Sequence, residues 1–395
     1  MPILLITSIR SRLRGHPPRK GVGERLGAGP QLHHQTKPIL LHAVSVGEVN
    51  AIRNLVQLLA ADGYNLVISV TTDTGIQRAI DLFGNTHTIV RYPLDFSWSV
   101  KNFLRRVNPT LIVLVELEVW PNMLRFAKKK HIPVVVVNGR LSHRSYKRYK
   151  LVSSLLRNTF GRISVIGMQN KSYAKKVSAL GADNVRVLGT MKWDNAIIRD
   201  SVEGAKELAQ NLGIDSSIPL VVAGSTTPEE HRLLLEALPK NVQLLIAPRR
   251  PEWFDDAQEV FSPCNRRTKT TRCDSRYFVL DTIGELTAAY SLATIVVIGR
   301  SFAPLHGSDP TEPIGLGKPT IVGPNMSDFP DIAKAFIDGN GIVQCNSAEL
   351  KENIQRLLGD EDFCKTITAN GRKVIASHQG ATKKYVQLIE EAVST

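Results

Sequence analysis

The stretch Pro38-Ile-Leu-Leu-His-Ala-Val-Ser-Val-Gly-Glu-Val49 decides how this chain folds. Its opening, "PILLHAV" (38–44), is an almost unbroken apolar run, long enough for a buried strand and too short for a buried helix. Gly47 turns the chain, and Val49, Ile52, Leu55, Val56 and Leu59 then recur at helical spacing. A strand apolar on both faces, followed at once by an amphipathic helix, is the unit of a parallel α/β sheet covered on both sides. At the junction stands Glu48, a charge at a strand tip and in the first turn of a helix. The helix dipole favours a carboxylate there by about 0.3–1 kcal/mol, so capping alone accounts for it. Ligands also collect at strand tips in such sheets, so a catalytic role stands beside the capping one.

The same unit repeats along the chain. Strand-like runs follow at "NLVISV" (65–70), "THTIVRY" (86–92), "TLIVLVE" (110–116), "PVVVVN" (133–138), "ISVIGM" (163–168) and "VRVLG" (185–189). Residues 189–219 then read as a polar, mostly helical interruption. A second series begins with "LVVAGS" (220–225) and continues through "QLLIAP" (243–248), "YFVLD" (277–281), "TIVVIG" (294–299) and "PTIVGP" (319–324). The segment 262–276 reads as an exposed basic loop, and everything after about 346 as helix. No sequence repeat of 20–50 residues is visible, although the halves share one architecture. Two doubly wound α/β domains are expected, facing each other across a cleft.

Composition sets the outer limits. At 395 residues, with 43% hydrophobic and 22% charged residues, the chain is a globular protein of more than one domain. A formal charge of +14 favours acidic partners: nucleic acid, an anionic membrane surface or phosphorylated substrates. Aromatic content of 6% and the lack of a nucleic-acid-binding module argue against the first. The cysteines, Cys264, Cys273, Cys345 and Cys364, form no CxxC pair, so neither a zinc site nor a disulfide framework is supported. No close His/Asp/Glu set suggests a metal, and GxGxxG and Walker patterns are absent. No run of about 18 apolar residues predicts a membrane span. The opening "MPILLITSIR", followed by Arg12, Arg14, Arg19 and Lys20, reads either as a frayed basic terminus or as a segment lying on anionic lipid.

Polar groups gather where the strands end. Glu116 and Glu118 follow the fourth strand, and a helix-start role like that of Glu48 or an ion pair with Arg140 would account for them. Gly224-Ser225-Thr226-Thr227 leads into "PEEHRLLLEAL", with Thr227 as N-cap, Pro228 at N1 and Glu230 at N3. Capping explains that pattern, and a helix start is equally an anion site. Arg249 and Arg250 follow the next strand, and the long loop "GRSFAPLHGSDPTEP" spans 299–313.

Together these pieces resemble the Kdo transferases, which move 3-deoxy-D-manno-octulosonic acid (Kdo) from CMP-Kdo to a lipid A precursor. The resemblance is carried by "GVGERLG" (21–27), "LLHAVSVGEV" (40–49), "SVTTDTG" (69–75), "ELEVWPN" (116–122), "NGRLSHRSYKRY" (138–149), "VLGTMKWD" (187–194), "AGST" (223–226), "APRRPEWF" (247–254), "DTIGEL" (281–286) and "DPTEPIGLGKPTIVGP" (309–324). It implies a GT-B fold. Residues 1–200 would form an N-terminal Rossmann-like lipid-acceptor domain, with 1–36 as its basic terminal segment. Residues 201–375 would form the nucleotide-sugar donor domain. Residues 376–395 are expected as a C-terminal helix, with packing back onto the N-terminal domain as one option.

The resemblance also implies roles. Glu48 becomes the general base for inverting transfer, and Glu118 a second cleft carboxylate that orients the acceptor or the neighbours of Glu48. Glu312 becomes a ligand of the nucleotide ribose; Ser225, Thr226 and Arg249 become contacts for the CMP phosphate or cytosine; Lys192 becomes a donor or phosphate contact. No cofactor or metal is implied, since CMP is already a good leaving group. The expected place is the cytoplasmic face of the bacterial inner membrane, as a peripheral protein, with "KKK" (128–130) and "HRSYKRYK" (143–150) as membrane contacts or solvated helix faces. Two departures fall in the donor half. Ser308-Asp309 replace the family's His-Asn in its GGHNxLEP motif, and Arg250 replaces the histidine of PRHP. They leave open a GT-B glycosyltransferase with a different nucleotide-sugar donor.

Overall fold

The structure, a computed structural model, describes residues 21–394 apart from Pro30, His33, Val152 and Thr270 and the side chains of Ser154 and Leu155. The basic run through Lys20 lies outside the described residues. Two compact units divide the chain. One is Met1–Asn195 with Gln379–Thr395, and the other is Ala196–His378.

The first unit is built on a seven-stranded parallel sheet in the order β3-β2-β1-β4-β5-β6-β7. Its strands are β1 (Ile39–Ala43), β2 (Leu66–Val70), β3 (Thr88–Arg91), β4 (Leu111–Val115), β5 (Val134–Gly139), β6 (Val165–Met168) and β7 (Val185–Val187). Successive side chains of a strand point to opposite faces, and the two core layers divide accordingly. Ile39, Leu41, Leu111, Val113, Val135 and Val137 enter one layer. Leu40, Ile112, Leu114, Val134 and Val136 enter the other. Both faces are covered by helices, which is why these strands read as continuous apolar runs.

The helix Ala381–Val393 completes the first layer, placing Tyr385, Leu388 and Ile389 among the side chains of β1, β4 and β5. Tyr385 is fully buried, its hydroxyl donates to the Gly189 carbonyl at 2.9 Å, and its ring closes on Gly167, where a Cβ would collide with it. Asp194 holds the start of this helix by accepting the Thr382 hydroxyl at 2.6 Å. Tyr385→Ala is expected to cost about 3–5 kcal/mol, the range for emptying a large buried aromatic site. Thermal unfolding read at the first unit's buried Trp193 checks it; an unshifted transition would mean the helix is an accessory.

The second unit carries its own seven-stranded parallel sheet, ordered β10-β11-β9-β8-β12-β13-β14. The strands are β8 (Leu220–Thr226), β9 (Gln243–Pro248), β10 (Asn265–Arg266), β11 (Tyr277–Val279), β12 (Ile295–Ile298), β13 (Thr320–Val322) and β14 (Val343–Gln344). In each sheet the strand order reverses at the centre, between β1 and β4 in the first and between β8 and β12 in the second, and the second reverses again at its edge, where β10 lies outside β11. Such switch points open a crevice at the carboxyl ends of the strands.

Two expectations are corrected here. Residues 189–219 are not mostly helical: only the short turn Trp193–Asn195 and the helix Ala205–Leu212 are. Met191, Trp193 and Ala196 are buried, so tertiary packing rather than helix propensity shapes this segment. Nor is 262–276 simply an exposed basic loop. It contains β10, and Arg266 is paired with Asp281 at 2.8 Å and Asp255 at 2.7 Å, while Arg267 meets Glu285 at 3.0 Å. The carboxylates that neutralise it lie elsewhere in sequence, out of sight of a local reading.

Candidate active site

At the first switch point β1 delivers Glu48 and β4 delivers Glu116 and Glu118. Glu48 lies in the helix Val46–Ala51 and is 8% exposed. Its carboxylate turns back to accept the Val44 N–H at 2.8 Å and the Ser45 hydroxyl at 3.0 Å. These two hydrogen bonds tend to hold the charged form. Burial outweighs them. Desolvation, reinforced by the negative fields of Glu116 and Glu118, lifts the Glu48 carboxyl from 4.5 to about 8. Burial also raises Glu116, against the pull of Arg140 and Lys192, and raises Glu118 with help from Glu116. Two tyrosines, Tyr92 and Tyr149, lie in the negative field of Glu118, which adds to burial in raising their phenols. Tyr92 stacks on the buried His42 with ring centroids 3.6 Å apart.

This arrangement is a carboxylate cluster, faced by two cations, in which one acid is held near neutrality. A carboxyl with a pKa near 8 is a far stronger base than an ordinary one, and it can take a proton from an alcohol as that oxygen attacks.

In the second unit, Ser225 lies at the end of β8, where the ladder with β9 slips between Gly224 and Thr226. Ser225 takes the left-handed conformation, φ 59°, as does Arg300 just after β12, φ 60°. Glu116 and Asn138 do the same at the ends of β4 and β5. Such backbone is unfavourable for non-glycine residues and concentrates at functional sites. Gly299 has no Cβ to strike the Ser225 carbonyl, which allows the close approach. Glu230 pins the loop after β12: its carboxylate accepts the N–H of Arg300 at 2.8 Å, of Phe302 at 3.0 Å and of Thr227 at 3.1 Å.

Arg249 follows β9. Its side chain is exposed, and desolvation, then the positive fields of Arg300 and Arg250, lower its guanidinium pKa. Tyr290 ties the group together, because its buried phenol feels Glu312, Asp309 and Arg249 alike. Glu312 accepts a short hydrogen bond from Thr287.

The structure thus brings Glu48 and Glu118 together in one unit and Ser225, Arg249 and Glu312 together in the other. Two expected donor contacts sit differently. Lys192 belongs to the first unit, in the field of Glu116. Thr226 is wholly enclosed, with its hydroxyl 3.1 Å from His231 Nε2, so it offers no side-chain surface to a ligand. Glu116, Arg140, Glu230 and Arg300 received no site role from sequence. Strand-end position would have flagged Arg300, two residues beyond β12. Among the described residues, no three His, Cys, Asp or Glu side chains are grouped to hold a metal ion.

Comparison with known proteins decides the family. The model described as 3-deoxy-D-manno-octulosonic-acid transferase (kdotransferase) matches residues 20–195. The 3-deoxy-D-manno-octulosonic acid transferase of Haemophilus influenzae is 30% identical over 374 residues, spanning 89% of this chain and 86% of that protein. The chain belongs to the 3-deoxy-D-manno-octulosonic acid (Kdo) transferase family. It is a glycosyltransferase. The Bordetella pertussis Kdo transferase is 28% identical over 379 residues, covering 90% of this chain and 87% of that one. Among solved structures, a glycosyltransferase from Rickettsia africae covers 91% of this chain and 99% of its own with a TM-score of 0.61 at 12% identity. A UDP-GlcNAc 2-epimerase from Neisseria meningitidis covers 90% of this chain and 100% of its own with a TM-score of 0.59 at 13% identity. These last two share the fold alone, the GT-B pattern of two Rossmann-like units expected for Kdo transferases.

Proposed function

We propose that this Kdo transferase moves Kdo from CMP-Kdo to a sugar hydroxyl of a lipid A precursor, with inversion and with Glu48 as general base. The observation that carries the reading is the Glu48 carboxyl, raised to about 8 by burial and by its two acidic neighbours at the tip of β1. In the step, the acceptor oxygen bonds to the anomeric carbon of Kdo while the bond to the CMP phosphate breaks. CMP leaves with the electron pair, and Glu48 takes the acceptor's proton. Glu118 orients the acceptor. The second unit holds the donor. Arg249 faces the phosphate, Glu312 accepts from ribose hydroxyls, and Ser225 contributes the bulged strand end. The reaction so drawn needs no cofactor; its substrates are CMP-Kdo and the lipid precursor.

A peripheral place on the cytoplasmic face of the inner membrane fits two features of the surface. The helix His143–Lys150 has no buried residue, carries Arg144, Lys147, Arg148 and Lys150, and leads into Leu151, which is 87% exposed. Basic charge beside exposed apolar side chains suits an anionic lipid surface. This helix follows β5, so it starts from the edge of the sheet that carries Glu48, whereas Lys128–Lys130 end the helix Pro121–Lys129 at the opposite edge. Among the described residues no helix is long and apolar enough to cross a membrane.

One observation favours a second reading, a different nucleotide-sugar donor. In the departing loop Ser308 Oγ is buried with no hydrogen-bond partner among the described residues, and Asp309 is turned to the Thr311 N–H at 3.0 Å. Calorimetric titration with CMP, UDP and GDP separates the two. The expected result is measurable binding of CMP alone; preference for UDP would select the second reading.

A further inference from the structure

Helix Pro228–Ala237 carries His231, fully enclosed, with its ring edge-on to Phe261. Its Nδ1 lies 2.7 Å from Asp256 Oδ2 on the helix Phe254–Val260, and its Nε2 lies 3.1 Å from Thr226 Oγ1. A carboxylate accepts, so Nδ1 carries the proton. Burial lowers the ring's pKa against the opposing pull of Asp256, which keeps the ring neutral and Nε2 bare. The Thr226 hydroxyl therefore donates inward.

Hydroxyl, imidazole and carboxylate stand here in the order of an activated nucleophile. Thr226 is wholly enclosed, however, so no substrate reaches its oxygen. What the hydroxyl can do is hold backbone. Thr226 follows the bulged, left-handed Ser225, and its own carbonyl accepts the Arg249 N–H at 3.0 Å. It is the peg between two residues at the candidate donor site, and a bulge of this kind persists only where its surroundings over-determine it.

We propose that the Asp256–His231–Thr226 chain is a positioning device that fixes the Ser225 bulge and the Arg249 backbone for the donor's nucleotide phosphate, with His231 acting as its Nδ1–H tautomer. This rests on the reading that the second unit binds the donor. His231 and Asp256 touch no substrate; they act through Thr226.

The test uses the full chain and CMP as probe. Thr226→Val keeps the volume and removes the hydroxyl. It is expected to weaken CMP binding about tenfold by calorimetry and to speed amide exchange at Ser225 and Arg249, with the fold retained and the thermal midpoint lowered because the enclosed Nε2 loses its donor. Thr226→Ser, which restores the hydroxyl, is expected to recover most of both. Asp256→Asn, at a half-exposed position, is expected to raise KM for the donor while leaving kcat at saturating donor close to wild type. Nitrogen-15 NMR of the wild type should report protonated Nδ1 on His231. A folded Thr226→Val with unaltered CMP affinity and unaltered exchange would overturn the proposal, as would an Nε2–H tautomer. If the wild type binds no CMP, the donor-site reading fails instead, and exchange together with the tautomer still decides whether the chain fixes the bulge.

Discussion

Glu48→Gln is expected to lower kcat by about 10²–10⁴-fold, the usual effect of removing a general base, while CMP binding stays at its wild-type value. The two readouts separate because Glu48 belongs to the first unit and the candidate donor groups belong to the second. A third readout moves the opposite way. The Glu48 carboxyl titrates near 8 in the folded protein against an ordinary 4.5. The folded state therefore holds its proton more tightly than the unfolded chain does. Stability from this group is complete below about pH 4.5 and is lost as pH rises through about 8. Glutamine carries no charge to desolvate, and its amide oxygen can still accept the Val44 N–H. The variant should match the wild type in thermal stability near pH 4 and exceed it near pH 9, by an amount on the order of a few kcal/mol. Loss of turnover with gain of stability is the signature of a buried group kept for chemistry. Wild-type turnover in the variant would remove Glu48 from the mechanism.

The pH profile is the second large effect. A general base must be deprotonated in the free enzyme, so kcat/KM should rise with pH and level off above an apparent pKa of about 8. At pH 7 roughly one molecule in ten would then carry the free base. Glu118 contributes to that value through its negative charge. Glu118→Gln should therefore shift the rise to lower pH, even if orientation of the acceptor suffers and the plateau falls. A midpoint that stays put, or moves up, would show that Glu118 does not act on Glu48 electrostatically. The three carboxylates titrate as a group, so the midpoint belongs to the cluster rather than to one side chain.

The strands that could be read from sequence are those buried on both faces. "LLHAV", "LIVLV" and "VVVV" are runs of four or five residues that are apolar throughout or but for His42, too short for a buried helix and suited to a covered parallel strand. The two-residue strands β10 and β14 carry no such signal. Glu48 was legible because strand-to-helix junctions are where these sheets expose polar groups. Its protonation was not. The helix start argues for a low pKa, and only the burial and the approach of Glu116 and Glu118 across β1 and β4 reverse that. Thr226 shows the same limit. Gly-Ser-Thr-Thr names three hydroxyls at a strand end, but the bulge at Ser225 decides which of them turns inward, and His231 and Asp256 are needed to see it. The segment 189–219 misled because burial of Met191, Trp193 and Ala196 in the core, rather than helix propensity, sets its irregular course outside the turn Trp193–Asn195 and the helix Ala205–Leu212.

The most direct measurement is product analysis by mass spectrometry after incubation of the protein with CMP-Kdo and a tetraacylated lipid A precursor. The predicted result is a gain by the lipid of one or more Kdo residues, with one CMP released for each, in the wild type and not at comparable rate in Glu48→Gln. An unchanged lipid mass, or a gain that arises only from a uridine-linked sugar, would contradict the proposed reaction.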